Sequence, residues 1–191
     1  EEVKHGIVVT ATQPMMVLDA RKDPANPKLI GAAERNEDGR YMHGVRWPRQ
    51  MKDKIMLAAS ETTMNGRCSE TSGAFMTWDA SRWRKTRTFK MIDEFRVANG
   101  TMTDGNPPAN AAGCTAMWFQ EHPRFRNGGL VASAFFEHGT RFLEVDGRGQ
   151  ISQVGYFTPI GGSTIATYWL TDEIVYAIDL VRGIDILKFA N

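Results

Sequence analysis

The chain has 191 residues, of which 42% are hydrophobic and 10% aromatic, a composition that excludes an intrinsically disordered protein. Basic and acidic residues number 23 and 22, so the net charge of +1 gives no basis for nucleic-acid binding. No apolar run approaches the ~20 residues that a membrane-spanning helix needs, and we expect no membrane span.

The first half of the chain contains short β-patterned runs separated by polar turns. Residues 5–34 hold GIVVTAT, MMVLDA and PKLIGAAE, with the proline-rich turn RKDPANP before the third run. Residues 41–97 hold YMHGVRW, IMLAASE, AFMTWDAS and FKMIDEFRV. The basic loop RWRKTR separates the last two runs, and we interpret it as a solvated connection. Residues 98–112 have almost no core-forming side chains and are predicted to be a connector.

The second half repeats this organisation. CTAMWFQEH precedes LVASAFF, TRFLEVD and SQVGYF, and the turn DGRGQ between the last two contains glycines suited to positive φ. A final copy runs STIATYWL, IVYAIDL and IDILKFAN. Strand, turn and strand in succession predict antiparallel meanders.

The recurrence of one strand phrase is the main signal in the sequence. Units of ~40–50 residues with four strands each are typical of β-propeller blades, and no stretch has a helical period. We therefore predict an all-β propeller of four-stranded antiparallel blades. The predicted blades cover residues 1–40, 41–112, 113–162 and 163–191 of a single domain.

The segment PMMVLDARKDPANPKLIG resembles the repeat of the LVIVD-repeat proteins, a bacterial β-propeller family. YFTPIGG, HGTRFLEVD and DLVRGIDILKF resemble later blades of the same proteins. The resemblance implies a propeller, often on exported proteins, and brings no established catalytic motif.

The order of the runs predicts that the chain begins in the second strand of one blade and ends in the third strand of another. About three and a half blades are then present, below the lower limit of ~4 for a closed propeller. Because open sheet edges are a liability, we expect further blades before Glu1, or another chain, to complete the ring.

Cys68 and Cys114 are predicted to lie in loops of neighbouring blades on the same face. A disulfide between them would staple two loops and would indicate an oxidising compartment; two unrelated thiols are the alternative. The chain also starts with Glu1 rather than Met, which is consistent with a processed precursor or with a fragment of a longer chain. We expect a secreted, periplasmic or cell-surface location.

Polar residues collect on the same predicted loop face by the repeat register. They are His43, Glu61, Glu70, Glu137, His138, Arg141, Asp179 and Arg182. Histidines and carboxylates together could bind a divalent metal or act as acid and base, with His43, Glu137 and His138 as first candidates. In the alternative, the carboxylates Glu61, Glu137 and Asp179 satisfy loop N–H groups and pair with arginines.

Three tryptophans are predicted to pack between blades, namely Trp47, Trp118 and Trp169. No nucleotide-binding or serine-hydrolase motif is present. The expected function is an extracytoplasmic binding or scaffolding module that engages a protein or glycan through its loop face. The alternative is a metal-assisted propeller enzyme. No cofactor is predicted beyond that divalent metal.

Overall fold

The computed structural model describes residues 2–34, 41–61, 72–97 and 113–190. These residues form fifteen β-strands and two helices of four residues each, and neither helix is long enough to cross a membrane. The prediction of an all-β fold is confirmed.

The strands form antiparallel meanders that follow one another along the chain, here named sheets 1 to 4. Sheet 1 comprises β1 (Glu2–Lys4), β2 (Ile7–Thr10), β3 (Met16–Asp19) and β4 (Lys28–Ala33). Sheet 2 comprises β5 (Tyr41–Arg46), β6 (Ile55–Glu61), β7 (Phe75–Asp79) and β8 (Thr88–Phe95). The helix α1 (Pro48–Met51) lies between β5 and β6, and α2 (Trp83–Thr86) lies between β7 and β8.

The second half of the chain repeats the pattern. Sheet 3 comprises β9 (Phe119–Glu121), β10 (Gly129–Ala134), β11 (Thr140–Val145) and β12 (Ile151–Phe157). Sheet 4 comprises β13 (Thr164–Trp169), β14 (Ile174–Asp179) and β15 (Gly183–Lys188).

Sheets 1 and 2 are joined by a short parallel pairing of their last strands. Ala32 and Ala33 of β4 pair with Thr88 and Phe89 of β8, so that eight strands form one continuous hydrogen-bonded sheet. This join departs from the separate blades that the repeats predict.

Hydrophobic clusters lie between consecutive sheets. In β6, Met56 and Ala58 belong to the cluster shared with sheet 1, whereas Leu57 and Ala59 belong to the cluster shared with sheet 3. Because successive side chains of a strand point to opposite faces, sheet 2 is covered on both sides. This double coverage explains why IMLAASE reads as a continuous apolar run.

The same alternation continues into the last two sheets. Val131 and Leu143 of sheet 3 pack toward sheet 2. Ala132 and Phe142 pack toward sheet 4, where they meet Trp169. The sheets therefore stack in chain order with a core between each neighbouring pair.

Two details correct the sequence-based interpretation. The chain does not begin in the second strand of its first meander, because β1 pairs with β2 and makes sheet 1 four-stranded. Trp47 and Trp169 are buried as predicted, but the side chain of Trp118 is 46% exposed. The Trp118 backbone is hydrogen-bonded to Ala134 and Ile165, but its side chain points away from that of the neighbouring buried Phe119, because successive side chains of an extended chain point to opposite faces.

Candidate functional site

The residues predicted for the loop face fall into separate local arrangements. His43 lies near the start of β5 and Glu61 ends the adjacent β6, so the pairing of the two strands brings them together. The His43 Nε2 to Glu61 Oε2 distance is 3.6 Å. The His43 ring centroid lies 5.5 Å from that of Trp118, and its buried Nδ1 has no hydrogen-bond partner among the described residues.

His138 and Arg141 form a second, buried arrangement at the turn between β10 and β11. Arg141 Nη2 lies 3.4 Å from His138 Nδ1, and the guanidinium carbon lies 5.1 Å from the centroid of the Tyr156 ring. Burial first, and then the positive Arg141, lower the pKa of His138 to about 4. Burial also lowers the pKa of Arg141. His138 is therefore a neutral imidazole at neutral pH.

Glu137 and Asp179 serve the loops around them. Glu137 accepts hydrogen bonds from the Gly113 N–H at 2.5 Å and from the Ser163 hydroxyl at 3.0 Å. Asp179 accepts hydrogen bonds from the N–H groups of Ser163 and Arg182 at 2.7 and 3.0 Å. Burial raises the pKa of Asp179, but these bonds to the charged form outweigh it and lower the pKa overall.

The arginines of the predicted site have other partners. The Arg182 guanidinium pairs with Asp185 at 2.9 Å, and Arg141 forms no ion pair with a described carboxylate. Glu70 and Cys68 lie outside the described residues. Cys114 is buried, and its pairing with Cys68 stays a prediction.

Within the described parts of the chain, no three His, Cys, Asp or Glu side chains are grouped so as to hold a metal ion. His43, Glu137 and His138 therefore stay predictions as metal ligands. The metal-assisted enzyme predicted from the sequence gains no supporting observation from these residues.

A cavity of about 480 Å³ lies at the other end of sheet 2, where the loop containing α1 meets the loop containing α2. Both loops leave sheet 2 at the same end, because β5 and β7, after which they follow, run in the same direction. The Trp47 indole donates to the Asp53 carbonyl at 2.8 Å and fixes the first loop. Trp83 packs edge-on against Trp47, with ring centroids 5.2 Å apart, and thereby fixes the second loop.

Five basic side chains line this cavity, which we name the basic cavity. They are Lys52, Lys54, Arg82, Arg84 and Lys85. The one acidic lining residue, Asp53, is buried, pairs with Arg49 and accepts the Asn127 N–H at 3.0 Å. None of the five forms an ion pair with a described carboxylate.

The aromatic wall of the basic cavity is Trp83. The guanidinium carbons of Arg84 and Arg87 lie 5.7 and 5.8 Å from the Trp83 ring centroid, within the range of a cation–π contact. An excess of positive charge therefore surrounds an indole. The basic loop was visible in the sequence, but its approach to α1 was not, because no local pattern reports a contact between two loops of one meander.

No family model and no curated protein matches the chain. Among solved structures, the chain is similar to the crystal structure of the computationally designed Ika4 protein, with a TM-score of 0.58 and 11% sequence identity. The match covers 98% of this chain and 88% of that chain. At this identity, the likeness concerns the fold alone.

Proposed function

We propose that this chain is a binding module of β-propeller architecture that acts outside the cytoplasm and holds an acidic glycan in the basic cavity. The propeller is supported by four consecutive meanders stacked in chain order with a core between each pair. The predicted disulfide and the resemblance to exported repeat proteins support the location.

The observation that carries the proposal is the grouping of five cations, none in an ion pair with a described carboxylate, around an exposed cavity with an indole wall. Its volume lies within the range of about 300–1,000 Å³ that is usual for small-molecule sites. Carboxylate or sulfate groups would offer hydrogen-bond acceptors to these donors, and Trp83 would form an apolar wall beside the sugar ring.

The side chains lining the cavity favour a glycan over an acidic peptide. They are mainly donors, and the Asp53 carboxylate is already occupied by Arg49 and Asn127. A bound peptide would bring N–H donors that need acceptors, whereas a sulfated or carboxylated sugar is rich in acceptors. We therefore expect the affinity to increase with the number of hydrogen-bond acceptors on the ligand as well as with its negative charge.

Isothermal titration calorimetry with a sulfated oligosaccharide and a carboxylated oligosaccharide tests the proposal. We expect binding that weakens as salt concentration rises, because exposed charges are screened. The double variant Arg84→Glu, Lys85→Glu should lower affinity at least about tenfold. The matched variant Lys28→Glu, Arg148→Glu makes the same charge change at exposed positions outside the cavity and should bind normally.

Three results would contradict the proposal. They are equal binding of the neutral parent oligosaccharide, equal loss of affinity in both double variants, and tighter binding of poly-glutamate than of either acidic sugar. The last result would identify an acidic protein segment as the partner.

A further inference from the structure

Sheet 4 has one face that no described part of the chain covers. Trp169, Val175 and Leu187 point toward sheet 3 and form the shared core. The opposite face carries large apolar side chains in register across all three strands. We name these the distal face: Tyr168, Tyr176, Ile178, Ile184 and Ile186. Tyr168, Ile184 and Ile186 are 51%, 58% and 67% exposed.

Sheet 1, at the other end of the stack, also has an apolar face that none of the described residues covers. Val9 and Val17 point toward sheet 2, so the alternating residues point away from it. We name these residues the proximal face: Val8, Met16, Leu18 and Leu29. Val8 pairs with Leu18, which pairs with Leu29, and the Leu29 side chain is 60% exposed.

The two faces correspond to the two sides of the interfaces inside the stack. When the repeats are aligned, Tyr176 and Ile178 of β14 occupy the positions of Leu57 and Ala59 in β6. Leu57 and Ala59 pack against the sheet that follows. On the other side, Val8 of β2 stands where Met56 stands in β6, and Met56 packs against the sheet that precedes.

We propose that a second copy of this chain covers both faces, with the distal face of each copy packed on the proximal face of the other. Each contact then continues the sheet-on-sheet packing already formed three times within one copy. None of the residues named for the two faces is charged. Lys188 is in register with the distal face at the end of β15, but it pairs with Glu173 at 3.4 Å, so the contact leaves no unpaired charge among these residues.

The number of copies rests on the proposed propeller architecture. When copies pack through unlike faces, they form a closed ring only if the rotation between neighbours brings the last copy back onto the first. Otherwise the copies form a filament. Two copies supply eight sheets, which is within the range of about 4–8 blades for closed propellers, whereas three copies exceed it. We therefore infer a closed pair with two identical interfaces.

Sedimentation equilibrium at micromolar protein tests the proposal directly. We expect twice the chain mass of 21.4 kDa, and a monomeric wild type would overturn the proposal without any variant. Higher multiples, or a mass that rises without limit, would overturn the closed pair.

Charge substitutions then identify the faces. Ile186→Glu on the distal face and Leu29→Glu on the proximal face should each weaken the dimer at least about tenfold, because each interface of either variant receives a buried carboxylate. Ile160→Glu adds the same charge at a loop side chain that is 99% exposed, and should leave the mass unchanged. Circular dichroism confirms that each variant is folded.

Mixing the two weakened variants distinguishes the proposed pairing from the alternatives. In a mixed pair, one interface carries both substitutions and the other carries none, so the mixture should regain dimers. A dimer that packs distal face on distal face predicts instead that Leu29→Glu has no effect and that mixing rescues nothing. Because none of these residues lines the basic cavity, loss of the dimer and loss of glycan binding are separately measurable.

Discussion

At the scale of single residues, His138 and Arg141 show what burial does to charge. Both side chains are buried, and the guanidinium is near an imidazole, an amide oxygen and a tyrosine ring, with no described carboxylate in an ion pair with it. A neutral imidazole is the form that such surroundings favour, because a second positive charge beside Arg141 would be repelled. The sequence identified both residues as polar candidates but not their burial, which depends on the neighbouring strands.

The lowered pKa of His138 predicts a pH-dependent stability. The unfolded chain takes up a proton near the ordinary value of 6.5, whereas the folded chain does so only near 4. The contribution of His138 to the free energy of unfolding is therefore fully present above pH 6.5, where the imidazole is neutral in both states, and is lost as the pH falls toward 4. Between pH 6.5 and 4, the free energy of unfolding of His138→Gln should therefore fall by up to about 2 kcal/mol less than that of the wild type. Denaturant unfolding across this pH range measures the difference.

The exposed His5 provides the control for this experiment. His5→Gln should leave the pH profile of unfolding as it is in the wild type. If His138→Gln and the wild type lose stability in parallel between pH 6.5 and 4, the proposed role of the buried imidazole is wrong.

At the scale of elements, the turn between β11 and β12 holds sheet 3 against sheet 2. The Thr77 hydroxyl donates to the Gly149 carbonyl at 2.6 Å, and the Ile151 N–H donates to Asp93 at 2.8 Å. The glycines of DGRGQ predicted this turn, and its place between the two strands is confirmed. Its docking onto the preceding sheet was not predictable, because those partners are more than fifty residues away in sequence.

Gly149 has a φ of +88°, and a Cβ there would lie 2.6 Å from the Ile92 side chain. Gly149→Ala should therefore destabilise the protein by about 1–3 kcal/mol, through both backbone strain and this contact. Gly147→Ala is the matched control in the same turn, since its Cβ would meet nothing within 4 Å. Chemical denaturation of both variants measures the difference, and equal stabilities would contradict the docking argument.

At the scale of the whole molecule, most strands follow from the sequence because each repeat carries its own alternation and turn residues. The runs IMLAASE, TRFLEVD and IVYAIDL are strands β6, β11 and β14. The basic cavity and the parallel join between β4 and β8 did not follow, since both depend on tertiary contacts between turns or outer strands. The propeller itself stays a proposal that the stacking of the sheets supports.

The predicted disulfide belongs to this scale because it would link loops of two sheets. We expect that Cys68 and Cys114 resist alkylation in denaturant without reductant, and that both react after reduction, as read by mass spectrometry. Cys114→Ser should lower stability by about 2–5 kcal/mol, the usual effect of removing a native disulfide. Two alkylated thiols in the unreduced protein would exclude the pairing and remove its support for an extracytoplasmic location.

The parallel pairing of β4 with β8 has a mechanical consequence. Backbone hydrogen bonds fasten sheets 1 and 2 together at β4 and β8, and backbone bonds from Thr164 to Phe136 and from Trp118 to Ile165 join sheets 3 and 4. Among the described residues, sheets 2 and 3 are held mainly by side-chain packing and by bonds from turns. Any hinge in the molecule would therefore open more easily between sheets 2 and 3 than within either pair of sheets. The basic cavity lies wholly within sheet 2, so such an opening would leave its lining together.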